Sequence, residues 1–138
     1  MKIEKVKLKD GKTVAITGSK SISNRLLILG KLFGDLKIEN LSNSQDTQLL
    51  QKALNEDSET VDIHHAGTAM RFLTSFYAIQ EGRKTILTGS ERMKQRPIKP
   101  LVDALRELGA EINYLENEGF PPLEIQGKKI DKNFVKIP

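Results

Sequence analysis

Three short stretches carry residue types suited to capturing small anions. Gly18-Ser19-Lys20-Ser21 stands where a strand-like pattern gives way to a helical one. A helix beginning there would point free N–H groups and the positive end of its dipole at a ligand. Glycine admits a close backbone approach, Lys20 adds a full charge, and the Ser19 and Ser21 hydroxyls donate to oxygens. Arg25 follows one turn later on the side of Ser21. Taken alone, this stretch is better read as a helix cap beside a solvated lysine. Ala66-Gly67-Thr68 opens a second helix in the same way, with Arg71 one turn in. The third stretch, Arg92-Met93-Lys94-Gln95-Arg96-Pro97, places three cations just before a proline-started helix. Charge runs are usually solvated faces, but extra cations at a helix beginning are unfavourable until an anion arrives, which tilts this one toward function.

Other chemistries find no support. Gly11-Lys12-Thr13 has Val6 where a nucleotide-binding loop needs its first glycine, and Ser19 separates Gly18 from Lys20. His64 and His65 are expected side by side on a strand, pointing to opposite faces, with no third ligand at metal spacing, so neither metal nor cofactor is expected. No Ser-His-Asp set or carboxylate pair stands out. The absence of Cys rules out disulfides and thiolate nucleophiles. The 138-residue chain has a net charge of +4, but its basic residues are dispersed among acidic ones and only 5% of residues are aromatic, which argues against nucleic acid. The opening Met1–Asp10 does not resemble a signal peptide. Leu26–Leu29, the longest aliphatic run, is far below the roughly 20 residues that span a bilayer. No membrane association and a cytoplasmic location are therefore expected.

The elements that must position these residues follow from periodicity. Val6–Leu8 and Thr13–Ile16 read as a hairpin around Asp10-Gly11. Ile22, Leu26, Leu29 and Phe33 recur at helical spacing after Ser21, and Gly34 marks the stop. Leu36–Leu41 reads as a strand, Asp46–Leu54 as a helix and Thr60–His64 as a strand. Thr68–Gln80, Lys84–Leu87, Pro97–Leu108, Glu111–Leu115 and Leu123–Gln126 then read as helix, strand, helix, strand and strand. The matches of residues 21–27 with 67–73, and of 50–54 with 101–105, suggest two copies of a β-α-β-α-β-β unit. Such units pack with helices inside and sheets outside, or as a two-layer sandwich, and would bring the helix beginnings toward a shared region. Phe134–Ile137 reads as the opening strand of a third copy.

In three stretches the chain resembles 5-enolpyruvylshikimate-3-phosphate (EPSP) synthases: Gly18 through Arg25, Ala66 through Arg71, and Leu87 through Ile98 continuing to Leu105. Three ordered motifs over nearly the whole chain make the resemblance specific. The resemblance implies an α+β protein with the enolpyruvyl transferase fold, an inside-out α/β barrel domain, here incomplete. It implies the small-molecule substrates shikimate 3-phosphate and phosphoenolpyruvate, joined in aromatic amino-acid biosynthesis. Lys20 would be catalytic and contact phosphoenolpyruvate. Ser21 and Arg25 would hold shikimate 3-phosphate, Gly67 and Arg96 would bind phosphoenolpyruvate with Arg71 supporting the pocket, and His65 and Thr68 would be substrate-binding as well. Two positions depart from the family pattern: His65 stands where Asn is usual, and Phe72 where Pro is frequent. Both lie beside the expected phosphoenolpyruvate pocket, and His65 keeps hydrogen-bonding capacity.

Family members are much longer. Residues 1–138 are thus expected to be a partial N-terminal domain, about two of three repeat units plus the start of the third. The second domain, with its proton-transfer groups, would be absent and the piece inactive alone. The full-length enzyme is expected to be a monomer, whereas orphan strands at Lys2–Leu8 and Phe134–Ile137 offer edges for self-association. The alternatives are enolpyruvyl transfer to UDP-N-acetylglucosamine, whose enzymes usually carry Lys-Asn in the first motif, and a non-catalytic anion-binding or RNA-handling module of the same fold.

Overall fold

A computed structural model describes residue 11, residues 13–34 and residues 36–135. The helices are α1 (Lys20–Phe33), α2 (Gln45–Asn55), α3 (Gly67–Ala78), α4 (Glu91–Lys94) and α5 (Lys99–Leu108). The strands are β1 (Thr60–Asp62), β2 (Lys84–Thr88), β3 (Glu111–Tyr114) and β4 (Leu123–Gln126). They form one sheet in the order β1-β2-β4-β3. β1 and β2 are parallel, with Val61 opposite Leu87, as expected for strands joined by a helical crossover. β4 is antiparallel to both neighbours, pairing Ile125 with Thr85 and with Ile112. From β1 to β4 the chain is one complete β-α-β-α-β-β unit, with α4 as an added turn.

The core lies between this sheet and the helices. Val61, Leu87, Ile112, Leu123 and Ile125 are buried and alternate with more exposed neighbours, as period-two side-chain geometry requires. α3 is apolar nearly all round, with Ala69, Met70, Leu73, Phe76 and Tyr77 buried, so it is the central helix. It packs on β2, β4 and α5 on one side and on α1 and α2 on the other. Tyr77 donates its hydroxyl to Ala53 O of α2 at 2.9 Å. α5 buries Val102 and Leu105 and ends at Gly109, whose φ of 110° is the left-handed conformation that glycine adopts without strain.

The first expected repeat is only partly formed. Among the described residues no strand precedes Thr60, although strands were expected at Thr13–Ile16 and Leu36–Leu41. Among the described residues those segments have no sheet to join: Val14, Ile16 and Leu36 are exposed, and one backbone bond, Gly18 N–H to Asn40 O at 3.0 Å, ties the two stretches. Val6–Leu8 and all of Lys2–Leu8 lie outside the described residues, as does the end of Phe134–Ile137. The stripe expected to bury α1 also differs. Ile22, Leu29 and Phe33 are exposed, and the buried residues of this helix are Ser23 and Asn24. Its polar side meets α2 and the segment leading into it: Ser42 N–H donates to Ser23 Oγ (3.0 Å), and Thr47 Oγ1 of α2 to Asn24 Oδ1 (2.8 Å).

Candidate functional site

The carboxyl ends of the parallel strands β1 and β2 carry the loops that build the site, the usual place for ligands on such strands. After β1 the chain does not continue as the strand expected to His64. Asp62 Oδ1 accepts the His64 N–H at 2.7 Å, and His64 turns with φ of 47°. The two imidazoles therefore share a turn, edge to face with centroids 5.1 Å apart, and are not held on opposite faces of a strand. Loop 63–65 is clamped to the end of β2 and to the loop after it: Ile63 N–H donates to Thr88 O (3.1 Å), and Ser90 N–H to His64 O (2.9 Å). Gly89 makes this approach possible, since a Cβ there would lie 2.6 Å from His64 O.

The third motif begins as the short helix α4, capped by Ser90, whose side chain accepts the Met93 N–H. Met93 is buried and anchors the turn. The helix-starting proline is Pro100; Pro97 precedes it in a linker where Ile98 N–H bonds to Gly119 O at 2.8 Å. Of the motif's three cations, Lys94 is engaged by Glu116 (2.8 Å) and Glu91 (3.4 Å), and the Glu116 hydrogen bond holds its pKa above the ordinary lysine value. Arg92 and Arg96 have no carboxylate within ion-pair distance among the described residues.

Arg96 lies over the start of α3, packed so closely on Gly67 that any Cβ there would overlap its guanidinium. Arg71 sets that arrangement. Its Nη1 donates to Gly67 O at 3.1 Å and its Nη2 to Pro97 O at 3.3 Å, tying the residue after Arg96 to the helix that Gly67 begins. Arg96, Arg92, His65, Ser90 and Met93 line a concavity of about 450 Å³. Thr68, in the first turn of α3, is half-buried.

The first motif repeats the pattern. Arg25 reaches back one turn, donating from Nη1 to Ser21 O at 3.0 Å and to Ser21 Oγ, as Arg71 does to Gly67 O. Ser19 is the N-cap residue of α1 without a side-chain capping bond, and Ser21 sits in the first turn. Lys20 is half-exposed and paired with Asp46 in the first turn of α2 at 3.4 Å. Lys20 and Arg25 both belong to α1 but engage different partners, whereas Arg71 and Arg96 meet at the start of α3. The ring of Phe72, next to Arg71, lies 5.6 Å from Arg25 Cζ, and Gln45, Gln48 and Leu49 of α2 line a concavity with His64 and His65.

Comparison with known proteins decides the family. The model for EPSP synthase (3-phosphoshikimate 1-carboxyvinyltransferase) matches residues 50–137. The chain belongs to the EPSP synthase family. A 3-phosphoshikimate 1-carboxyvinyltransferase of Bacteroides fragilis is 56% identical over 119 residues, covering 86% of this chain and 29% of that protein. One of Haemophilus influenzae is 40% identical over 154 residues, covering 91% and 36%. The solved EPSP synthase of Acinetobacter baumannii shares the fold, with a TM-score of 0.75 at 19% identity, over 91% of this chain and 34% of that one. This chain therefore spans about a third of the length of the relatives it matches, and its α+β fold is an incomplete enolpyruvyl transferase domain.

Sequence reasoning missed several participants. The Pro97 carbonyl that holds Arg71 carries no side-chain signal. Ser90 shares the concavity with Arg96 and with Arg92, the latter already named among the three cations of the third stretch. Asn24 is fully buried, and its Nδ2 has no protein partner among the described residues. Among those residues no group of three or more His, Cys, Asp or Glu could hold a metal, and no helix is long and apolar enough to cross a membrane.

Proposed function

We propose that this chain forms one side of the site where an enolpyruvyl group passes from phosphoenolpyruvate to shikimate 3-phosphate. The observation that carries this reading is the Arg96 guanidinium seated on Gly67 at the start of α3 and held there through Arg71. A guanidinium beside open helix N–H groups is a ready seat for a carboxylate or phosphate. In this reading Gly67, Thr68, His65 and Arg96 bind phosphoenolpyruvate, and Arg71 positions them. Ser21 and Arg25 hold shikimate 3-phosphate. Lys20, half-exposed beside Asp46, contacts phosphoenolpyruvate.

The chemistry needs two multiply charged anions brought together, and fixed cations offset their mutual repulsion. The enol methylene carbon takes a proton, while a shikimate hydroxyl gives up its own proton to a base and its oxygen bonds to the adjacent carbon. The tetrahedral adduct then loses one proton of the new methyl group together with inorganic phosphate, leaving the enolpyruvyl ether. The chain acts in this reading as a partial N-terminal domain. Groups for proton transfer come from a second domain, and the chain by itself turns over no substrate.

Calorimetric titration of shikimate 3-phosphate into the chain, with Arg25→Ala as comparison, tests the reading. Loss of a charge-assisted contact, about 1.5–3 kcal/mol, weakens binding roughly ten- to hundredfold. Equal heats and affinities from both proteins reject the role given to Arg25.

A further inference from the structure

We propose that Arg92 and His65 are ligand-contacting residues that complete, with Arg96, a three-cation seat for a dianionic oxyanion. The imidazole makes affinity at this seat fall as pH rises. The proposal rests on the reading that Arg96, Gly67 and His65 hold phosphoenolpyruvate; it adds Arg92 to the groups that grip it and makes the grip of His65 depend on its charge.

The geometry supplies the argument. His65, Ser90, Arg92 and Arg96 open onto one concavity of about 450 Å³, with buried Met93 also in its lining. Neither arginine has a carboxylate partner among the described residues, whereas nearby Lys94 is held by Glu91 and Glu116. The acids closest to His65 along the chain and in the adjoining loop are already engaged. Asp62 accepts the His64 N–H, and Glu91 pairs with Lys94. From α2, Lys52 shares the neighbouring concavity with both histidines and is paired with Glu56 at 3.3 Å. His64 itself stands 5.1 Å from the His65 ring. The charged side chains that share the concavity with His65 are Arg92 and Arg96, no carboxylate among the described residues lines it, and the missing charge complement is an anion.

The loops holding these groups are preorganised by the Ser90 N–H to His64 O bond and by the close approach at Gly89. Ser90 Oγ accepts the Met93 N–H at 3.4 Å, which leaves its own hydrogen to donate to a ligand oxygen. Imidazole is the ordinary side chain that changes charge between about pH 5 and 8. Protonation of His65 and anion binding then favour each other by reciprocal linkage.

Sulfate is the probe, because it stays a dianion across this range and only the protein titrates. Wild type, Arg92→Ala, Arg96→Ala, His65→Asn and His64→Asn are titrated at about pH 5.5 and pH 8. His64→Asn suits its positive φ, which Asn tolerates. Wild type and His64→Asn are expected to bind roughly fivefold or more tightly at the lower pH. His65→Asn flattens that dependence, and Arg92→Ala weakens binding at both pH values. As a readout needing no variant, sulfate raises the midpoint of the His65 imidazole titration followed by NMR and leaves that of His64 in place. If Arg96→Ala loses sulfate while Arg92→Ala and His65→Asn match wild type, or sulfate leaves the His65 midpoint unmoved, the proposal is overturned and only the Arg96–Gly67 part of the phosphoenolpyruvate reading stands. If Arg96→Ala binds as wild type does, the reading itself falls and takes the proposal with it.

Discussion

The Arg96 guanidinium packs on the Cα of Gly67, so that a Cβ built on that glycine would lie 2.9 Å from Arg96 Cζ. The residue that meets it is the exposed end of a flexible side chain, so Gly67→Ala is expected to fold with a stability change within about 0.5 kcal/mol. Binding is expected to suffer instead. Arg96 must leave the start of α3, and phosphoenolpyruvate affinity falls roughly tenfold, about 1.4 kcal/mol. Thermal melting and calorimetry on the same variant separate the two effects. Unchanged affinity would mean that the contact does not position the guanidinium.

Arg71 bridges two carbonyls, Gly67 O and Pro97 O, with two different nitrogens. Lysine keeps the charge but has no fork to span both. Arg71→Lys is expected to lower stability by about 1 kcal/mol and to weaken phosphoenolpyruvate binding severalfold by freeing the linker that carries Arg96. A variant with wild-type affinity would limit Arg71 to local packing.

Gly89 is crowded by backbone as well as side chain: a Cβ there would stand 2.6 Å from His64 O and 2.9 Å from Met93 Cβ. Neither neighbour retreats easily, because His64 O accepts Ser90 N–H and Met93 is buried. Gly89→Ala is expected to destabilise the chain by about 1–3 kcal/mol, the usual range for overpacking. Chemical denaturation measures it, and a change near zero would show that the loops can separate freely.

The exposed apolar side chains of α1 contribute little to this fold, and those of α3 contribute much. Phe33→Ser is expected to change stability by less than about 0.5 kcal/mol, because Phe33 is 80% exposed. Leu73→Ala, fully buried in the central helix, is expected to lose about 2–5 kcal/mol. Comparable losses from both variants would place the α1 stripe against the core after all.

Acid is expected to weaken the β2–β4 pairing and the α5 surface. Hydrogen bonding and charge from Lys84 lower the Glu124 pKa, and Lys99 does the same for Glu118. A carboxyl with a lowered folded pKa stabilises above its unfolded value, and that contribution disappears as pH falls through the folded one. Melting temperature should therefore decline with acidification from the ordinary glutamate range downward. Glu118→Gln combined with Glu124→Gln should make that decline shallower. An unaltered slope would show that these exposed pairs contribute nothing measurable, as many surface pairs do.

Much of the element order follows from local patterns. α5 carries Pro100 near its start, Val102 and Leu105 on one face and Gly109 as its stop, and these residues dictate a helix in almost any context. Leu123–Gln126 alternates cleanly, and its strand has the expected limits. The pairing of helix-start motifs was legible because Arg25 and Arg71 each reach back to a carbonyl four residues earlier, a local contact set by helix geometry.

Strands depend on partners. Thr13–Ile16 and Leu36–Leu41 have suitable residues, yet a strand forms only where another offers a ladder of N–H and C=O groups, and none stands beside them among the described residues. For the same reason the apolar stripe of α1 could not reveal that Ser23 and Asn24 would be its buried side. Burial depends on which neighbour a helix meets, and here that neighbour is the polar start of α2.

The residue types at Lys20, Arg25, Arg71 and Arg96, and their places at helix beginnings, were written in the chain alone, because capping and helical spacing are short-range. Folding alone decided that Arg96 rests on Gly67, that Pro97 O holds Arg71, and that the two histidines share a turn. The first two contacts join residues brought close by the parallel pairing of β1 with β2, and the histidine turn is clamped across the same gap by Ser90 N–H to His64 O; no local rule specifies what lies across it.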